Sequence, residues 1–312
     1  MRSERLSWIG EDPASQKLFE LAQRVAAVPT TILITGESGT GKKHLARLIH
    51  EISPMRDAPY LKTECANLPA ALVESELFGH ERGAFPGAME RRSGLLELAR
   101  RGTVVLEDAE ALGSEAQQRL VQLLRTQNFE RIGGREQLKA ECRVIALSSA
   151  DLGVESAAGN LRPEARAELE KVSIWVPPLR ERRGDILPLA EHFLKGLRER
   201  EKKHEARLGE KSRPMLQHYT WPGNVPELRG VLEQAFGLAG GGTIEPEHLP
   251  GAVRRGNPGA AQEANLPSLE DLEREAIAET LRVTGYQIGR SAQILGISRK
   301  TLLEKRKKFG ME

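Results

Sequence analysis

The sequence predicts an α/β protein: a parallel sheet with helices on both faces, a helical lid after it, and a small all-helical segment at the C-terminus. Three observations carry this. Short apolar runs alternate with helical patterns at Thr31-Ile32-Leu33-Ile34, Val104-Val105-Leu106, Val144-Ile145-Ala146-Leu147 and Val172 to Val176, as in parallel strands joined by crossover helices. After Pro177-Pro178, residues 186–200 and 214–238 read as helical and apolar on one face only. The stretch GAVRRGNPGAAQEAN, starting at Gly251, lacks periodicity and reads as a linker. The expected organisation is therefore an α/β nucleotide-binding domain at 1–176, a lid at 177–250, a linker at 251–266 and a DNA-binding domain at 267–312.

A chain of 312 residues, 39% of them hydrophobic, has enough apolar surface for a sizeable core. Its 46 basic and 44 acidic residues nearly cancel, so the placement of charge matters more than its sum. Cys65 and Cys142 form no CxxC pair, which argues against a metal cage or a disulfide framework and for a reducing compartment. The N-terminus lacks a signal-peptide core, and no run approaches the roughly 20 apolar residues of a membrane span. A cytoplasmic protein without membrane partners is expected.

Gly36-Glu37-Ser38-Gly39-Thr40-Gly41-Lys42 follows the first strand and opens a helical pattern, the setting of a phosphate loop. Glycines let backbone N–H groups turn inward around phosphate oxygens, the helix N-terminus adds positive potential, and Lys42 reaches the β and γ phosphates. These residues, with Lys43, form the candidate site for ATP or ADP. Position 43 is lysine where the general motif has a hydroxyl for Mg2+, so the metal has to rely on a carboxylate. The next buried strand ends in Glu107-Asp108, making Glu107 the candidate metal contact and both acids candidate catalytic groups.

Beyond the linker, Leu269, Leu272, Glu273, Ile277 and Leu281 continue a helical stripe to Thr284-Gly285. A second helix is expected from Ile288 to Leu295, a tight turn at Gly296, and a third helix from Arg299 to Phe309, capped by Ser298, with Leu302 and Leu303 packed inward. The third helix is strongly basic. Ser298, Arg299, Lys300 and Thr301 at its start are placed to meet base edges in double-stranded DNA, and Lys305, Arg306, Lys307 and Lys308 to neutralise phosphates.

At four ordered sites the chain resembles the AAA+ family of bacterial sigma-54 enhancer-binding activators. Gly36 to Lys42 is similar to that family's GESGTGK, Glu74 to Glu81 to its ESELFGHE, Pro177 to Arg182 to its PPLRER, and Trp221 to Val225 to its WPGNV. Ser298 to Leu302 resembles the start of a Fis-type recognition helix. The resemblance covers almost the whole chain. It implies an AAA+ P-loop domain with a lid, rings that hydrolyse ATP with Mg2+, a protruding GAFTGA loop that contacts RNA polymerase carrying sigma-54, and a Fis-type helix-turn-helix on enhancer DNA. It further implies self-association, either with copies of itself or in another activator's ring. A Fis-like tail favours at least a dimer, with half-sites one helical turn apart or a multiple of it.

The departures from that pattern are concentrated where the chemistry lies. The loop reads Gly83-Ala84-Phe85-Pro86-Gly87-Ala88, with proline in place of the family's sigma-contacting threonine. The family's Asp-Glu pair appears as Glu107-Asp108, its sensor asparagine as Ser149, and its sensor arginine as Pro226. Arg162 matches one arginine-finger position; the other falls on Glu168, with Arg166 the substitute if the register shifts by two. Together these lead us to expect a degenerate activator that keeps nucleotide binding and loses ATP turnover and sigma-54 remodelling. With residues 1–8 ahead of the AAA+ region, control is expected from another chain, from expression level or from nucleotide.

Overall fold

In a computed structural model of the chain, the structure describes residues 8–255, 277, 280–281, 284 and 286–309. They fall in two compact units divided near residue 256.

The first unit is built on five strands numbered along the chain: β1 (Ile32–Thr35), β2 (Tyr60–Glu64), β3 (Thr103–Glu107), β4 (Arg143–Ser148) and β5 (Ser173–Trp175). They pair in the order β2-β3-β4-β1-β5, every pair parallel. Side chains alternate across the sheet. Leu33, Val104, Leu106, Val144 and Ala146 join one apolar cluster, whereas Ile32, Ile34, Val105, Ile145 and Leu147 join a second on the opposite face. The first face is covered by helices Ala70–Phe78, Ser114–Thr126 and Pro163–Leu169, the second by Pro13–Ala26 and Lys42–Glu51. Burial on both faces explains why these strands read as continuous apolar runs.

Two elements of this layer carry weaker signals. Strand β2, YLKTE, lies at the sheet edge and buries only Thr63 fully, so its polar residues mask it. Helix Pro13–Ala26 starts at Asp12, whose carboxylate accepts from the Ala14 N–H, with Pro13 in the first turn.

The lid comprises helices Ile186–Glu201, Ser212–His218, Asn224–Leu238 and Gly251–Arg255 around the fully buried Trp221. The single helical stretch expected over 214–238 is two helices. Tyr219 to Gly223 breaks it, because Trp221 adopts a positive φ of 49° and donates its indole N–H to Leu216 O at 2.8 Å. The linker expected from 251 also begins later: Gly251–Arg255 is helical, and Val253 is 1% exposed against the lid core. The rest of the expected linker lies outside the described residues. Among the described residues, no helix is long and apolar enough to cross a membrane.

In the second unit, Ile277, Leu281, Ala292 and Leu302 form a small core with Ile288, Leu295, Ile297 and Phe309 packed on it. Helix Ile288–Ile294 leads through Gly296, at φ 67°, into helix Arg299–Lys308. Leu302 is buried as expected, but Leu303 is 50% exposed, since consecutive residues of a helix diverge by about 100° and cannot share its inner face. The earlier part of the expected first helix, including Leu269 and Leu272, lies outside the described residues.

Candidate nucleotide site and nucleic-acid interface

The C-terminal ends of the parallel strands gather the expected site residues. Directly after β1, Gly36, Gly39 and Gly41 take positive φ values of 147°, 78° and 104°. A Cβ on Gly36 would lie 2.5 Å from Val176 O, so only glycine fits there. Helix Lys42–Glu51 begins at Gly41, aiming its first N–H groups at the loop. The Lys42 ammonium donates to Gly36 O at 2.7 Å, Glu37 O at 2.9 Å and Ser149 Oγ at 2.8 Å. Burial pushes this lysine below its ordinary pKa, while the nearby Asp108 and Glu110 carboxylates oppose the shift. Glu110, which sequence reasoning missed, also accepts from the Ser149 N–H at 3.4 Å.

Glu107 ends β3 beside Glu64 of β2, its partner in register. It is 2% exposed. The Lys43 ammonium lies 2.6 Å from Glu107 Oε2 and 3.3 Å from Glu64 Oε1, and Lys62 Nζ lies 3.5 Å from Glu107 Oε1. The Glu107 contact holds the Lys43 pKa above the ordinary lysine value. In place of the metal expected at Glu107, the structure puts two ammonium groups. Magnesium takes oxygen ligands and water and is repelled by cations, so this donor set does not fit a protein-held Mg2+. No cluster of three or more His, Cys, Asp or Glu suited to a metal occurs among the described residues. Asp108, half-buried, follows at φ 54°, a left-handed conformation that aspartate tolerates better than most residues.

The lid closes on the phosphate loop through residues that were not expected there. Arg180 forks onto the Glu37 carboxylate at 2.8 and 2.5 Å. Asn224, fully buried, accepts from the Leu179 N–H at 2.8 Å and donates to Ser38 O at 2.9 Å. Arg182 donates to Thr40 O, and Val225 N–H to Gly39 O at 3.1 Å. Where the resemblance implies a sensor arginine, the Pro226 ring packs on Gly39; a Cβ there would lie 2.9 Å from Pro226 Cδ. Beside the loop lies a cavity of about 210 Å³ lined by Trp8, Ile9, His44, Leu189, Phe193 and Val225 among others. The PPLRER and WPGNV signals in the sequence marked this surface without revealing its contacts.

The remaining expected residues are dispersed. Arg162 caps helix Pro163–Leu169, exposed, with its Nε donating to Ser114 Oγ at 3.2 Å. Glu168 is held within its own chain by Arg125, at 2.8 Å, and Lys171, and both lower its pKa, Lys171 the more. Arg166 pairs with Glu170 at 2.9 Å. The Gly83–Ala88 segment is a closed turn: Gly83 N–H donates to Ala88 O at 2.8 Å and Ala88 N–H to Phe85 O at 3.0 Å. Phe85 meets the His80 ring edge-on at 4.9 Å, leaving Pro86 and Gly87 exposed at the tip.

In the second unit, Ser298 Oγ accepts from the Thr301 N–H at 3.0 Å, the expected cap. Arg299 and Lys300 are exposed beyond it, and Lys305, Arg306 and Lys307 follow on the same helix. The Arg299 guanidinium lies across Gly289 of the preceding helix, where a Cβ would come within 2.9 Å of its Nη2. Lys308 is the last residue of the helix, and its side chain lies outside what is described.

Residues 8–174 match the sigma-54 interaction domain, 180–266 the AAA+ ATPase lid domain and 268–309 the Fis family of bacterial regulatory proteins. The chain belongs to the sigma-54-interacting transcriptional regulators. Among relatives of this regulator family, ZraR of Salmonella typhi is 39% identical over 297 residues, covering 95% of this chain and 67% of its own length. AnfA of Azotobacter vinelandii is 36% identical, covering 97% and 57%. AtoC of Escherichia coli K12 is 35% identical, covering 96% and 67%. NtrX from Brucella abortus, crystallised in complex with ADP, superposes with a TM-score of 0.74 at 30% identity, over 98% of this chain and 70% of that one. The ATP complex of NtrX gives 0.73 at 31% identity, over 97% and 69%. The parallel-sheet α/β fold, the helical lid and the Fis-type segment expected from the sequence are thus those of the family.

Proposed function

We propose that this regulator binds ATP or ADP at Gly36–Lys43 and double-stranded DNA through the helix that Ser298 caps, and that it hydrolyses ATP weakly or not at all. The nucleotide half is supported by the inward-turned glycine loop, by the Lys42 ammonium held against that loop, and by the adjoining cavity, whose largely apolar walls suit a heteroaromatic base. The ADP and ATP complexes of NtrX point the same way.

The observation that carries the loss of turnover is the engagement of Glu107 by Lys43 at 2.6 Å. A carboxylate neutralised by lysine is a poor partner for a metal or a water nucleophile, and displacing a catalytic group by about 1 Å costs on the order of 100-fold. Glu168, tied to Arg125, brings no cation toward a neighbouring γ-phosphate, and Pro226 donates nothing. Pro86 stands where the family's threonine contacts sigma-54, fixes φ and lacks both a hydroxyl and an N–H. Any contact with sigma-54 holoenzyme is therefore proposed to be non-remodelling. Self-association, or entry into another AAA+ activator's ring, uses the exposed Arg162 surface.

A phosphate-release assay run beside a nucleotide-binding titration tests this. Saturable binding with turnover far below the ordinary range of about 1–10³ s⁻¹ is expected, and turnover within that range defeats the proposal. Reporter transcription with and without sigma-54 tests the remodelling half.

A further inference from the structure

Glu107 is 2% exposed, and burying a carboxylate is costly unless a cation stands beside it. Three features make Lys43 that cation. It occupies the first turn of helix Lys42–Glu51, the position from which a general phosphate loop offers a hydroxyl to magnesium. It bridges Glu107 and Glu64, adjacent in register at the sheet's C-terminal edge. Its side chain is nevertheless 63% exposed. Lysine is a compact point charge with three donors; one hydrogen bond goes to Glu64 Oε1 while Glu107 is held as an ion pair, which leaves donor capacity for a phosphate oxygen. Lys62, on the other oxygen of Glu107, adds a further positive charge beside that carboxylate.

We propose, on the strength of the nucleotide reading above, that Lys43 is a built-in replacement for magnesium, so that the protein takes ATP or ADP as the free polyphosphate. Lys42 and Lys43 together supply the positive charge that a metal supplies in the general motif. Magnesium already complexed to the nucleotide is then a competitor, because binding to the protein requires shedding it. The absence of a metal requirement also fits a site that holds nucleotide as an assembly ligand and does not turn it over.

Calorimetric titration of the full chain with ATP and with ADP, each in excess EDTA and in millimolar Mg2+, tests this without any activity readout. Affinity in EDTA is expected to equal or exceed that in Mg2+. Lys43→Ser, which restores the general motif's hydroxyl, is expected to weaken binding about tenfold in EDTA and to regain it with Mg2+. Lys43→Arg retains a cation and is expected to remain indifferent to the metal. Should either serine or arginine variant fail to fold in a melting experiment, the wild-type comparison decides alone. A wild-type loss of more than about threefold on chelation overturns the inference and leaves the nucleotide reading standing. No saturable binding in either buffer overturns both.

Discussion

Arg180 holds the Glu37 carboxylate with both outer nitrogens, at 2.8 and 2.5 Å, fastening the lid to the phosphate loop across 143 residues of chain. The pair is showy but half exposed, and such pairs contribute at most about 1 kcal/mol. Asn224 beside it is fully buried and satisfies Leu179 N–H and Ser38 O from a left-handed backbone. Removing its amide leaves buried polar groups unpartnered, at about 1–3 kcal/mol. Thermal melts should therefore rank Asn224→Ala as the more damaging change. At about 2–4 °C per kcal/mol for a domain of this size, Arg180→Ala should cost no more than about 4 °C.

Arg131, 3% exposed, is the hub of a second network: it meets Glu97 at 2.6 Å, Glu81 at 2.9 Å and Glu136 at 3.0 Å. Its guanidinium holds the Glu97 carboxyl below the ordinary value of 4.5. A carboxyl depressed on folding contributes stability that is complete above its unfolded pKa and is lost as pH falls through the folded one. The melting-temperature gap between wild type and Arg131→Gln should thus stay constant at neutral pH and narrow below pH 4.5. A gap that widens on acidification would contradict the assignment.

Glu168 illustrates why a missing motif residue cannot simply be put back. Arg125 and Lys171 both lean on it, and its side chain is 8% exposed. Glu168→Arg would place a third cation among them and lower stability by more than about 1 kcal/mol, like charges at close range repelling even at the surface. Arg125→Glu added to Glu168→Arg should recover most of the loss in a denaturant titration. Failure of the double variant to recover would remove the ion pair as the explanation.

The sequence exposed what is set locally and concealed what depends on register. Strands β1, β3 and β4 stand out because both their faces are buried, and Ser298 announces its helix because a cap is a contact three residues long. Strand β2 does not stand out, since an edge strand with Lys62 and Glu64 looks like a solvated loop. The bridge from Lys43 to both Glu64 and Glu107 was therefore out of reach: it requires β2 to seat Glu64 next to Glu107, which no spacing along the chain encodes. The same holds for Arg180 and Asn224, whose partners in the phosphate loop lie more than a hundred residues away. Leu303 went astray for a different reason: apolar character suggested burial, while the helical period turns it outward.

The basic helix makes a prediction that separates its two ends. Arg299 sits one residue past the cap, its guanidinium lying on Gly289, and this support orients it before any DNA arrives. Lys307 is exposed near the other end. If the first reads a base edge, Arg299→Ala should weaken binding to the preferred site by about 1–3 kcal/mol and leave non-specific binding nearly unchanged. If the second neutralises a phosphate, Lys307→Ala should weaken all sequences alike and reduce the salt slope by about one unit. Gly289→Ala, which crowds the guanidinium without removing it, should reproduce part of the Arg299→Ala loss and none of the change in slope. Gel-shift titrations at several salt concentrations measure all three. Equal losses for specific and non-specific DNA in Arg299→Ala would mean that this residue only holds the backbone.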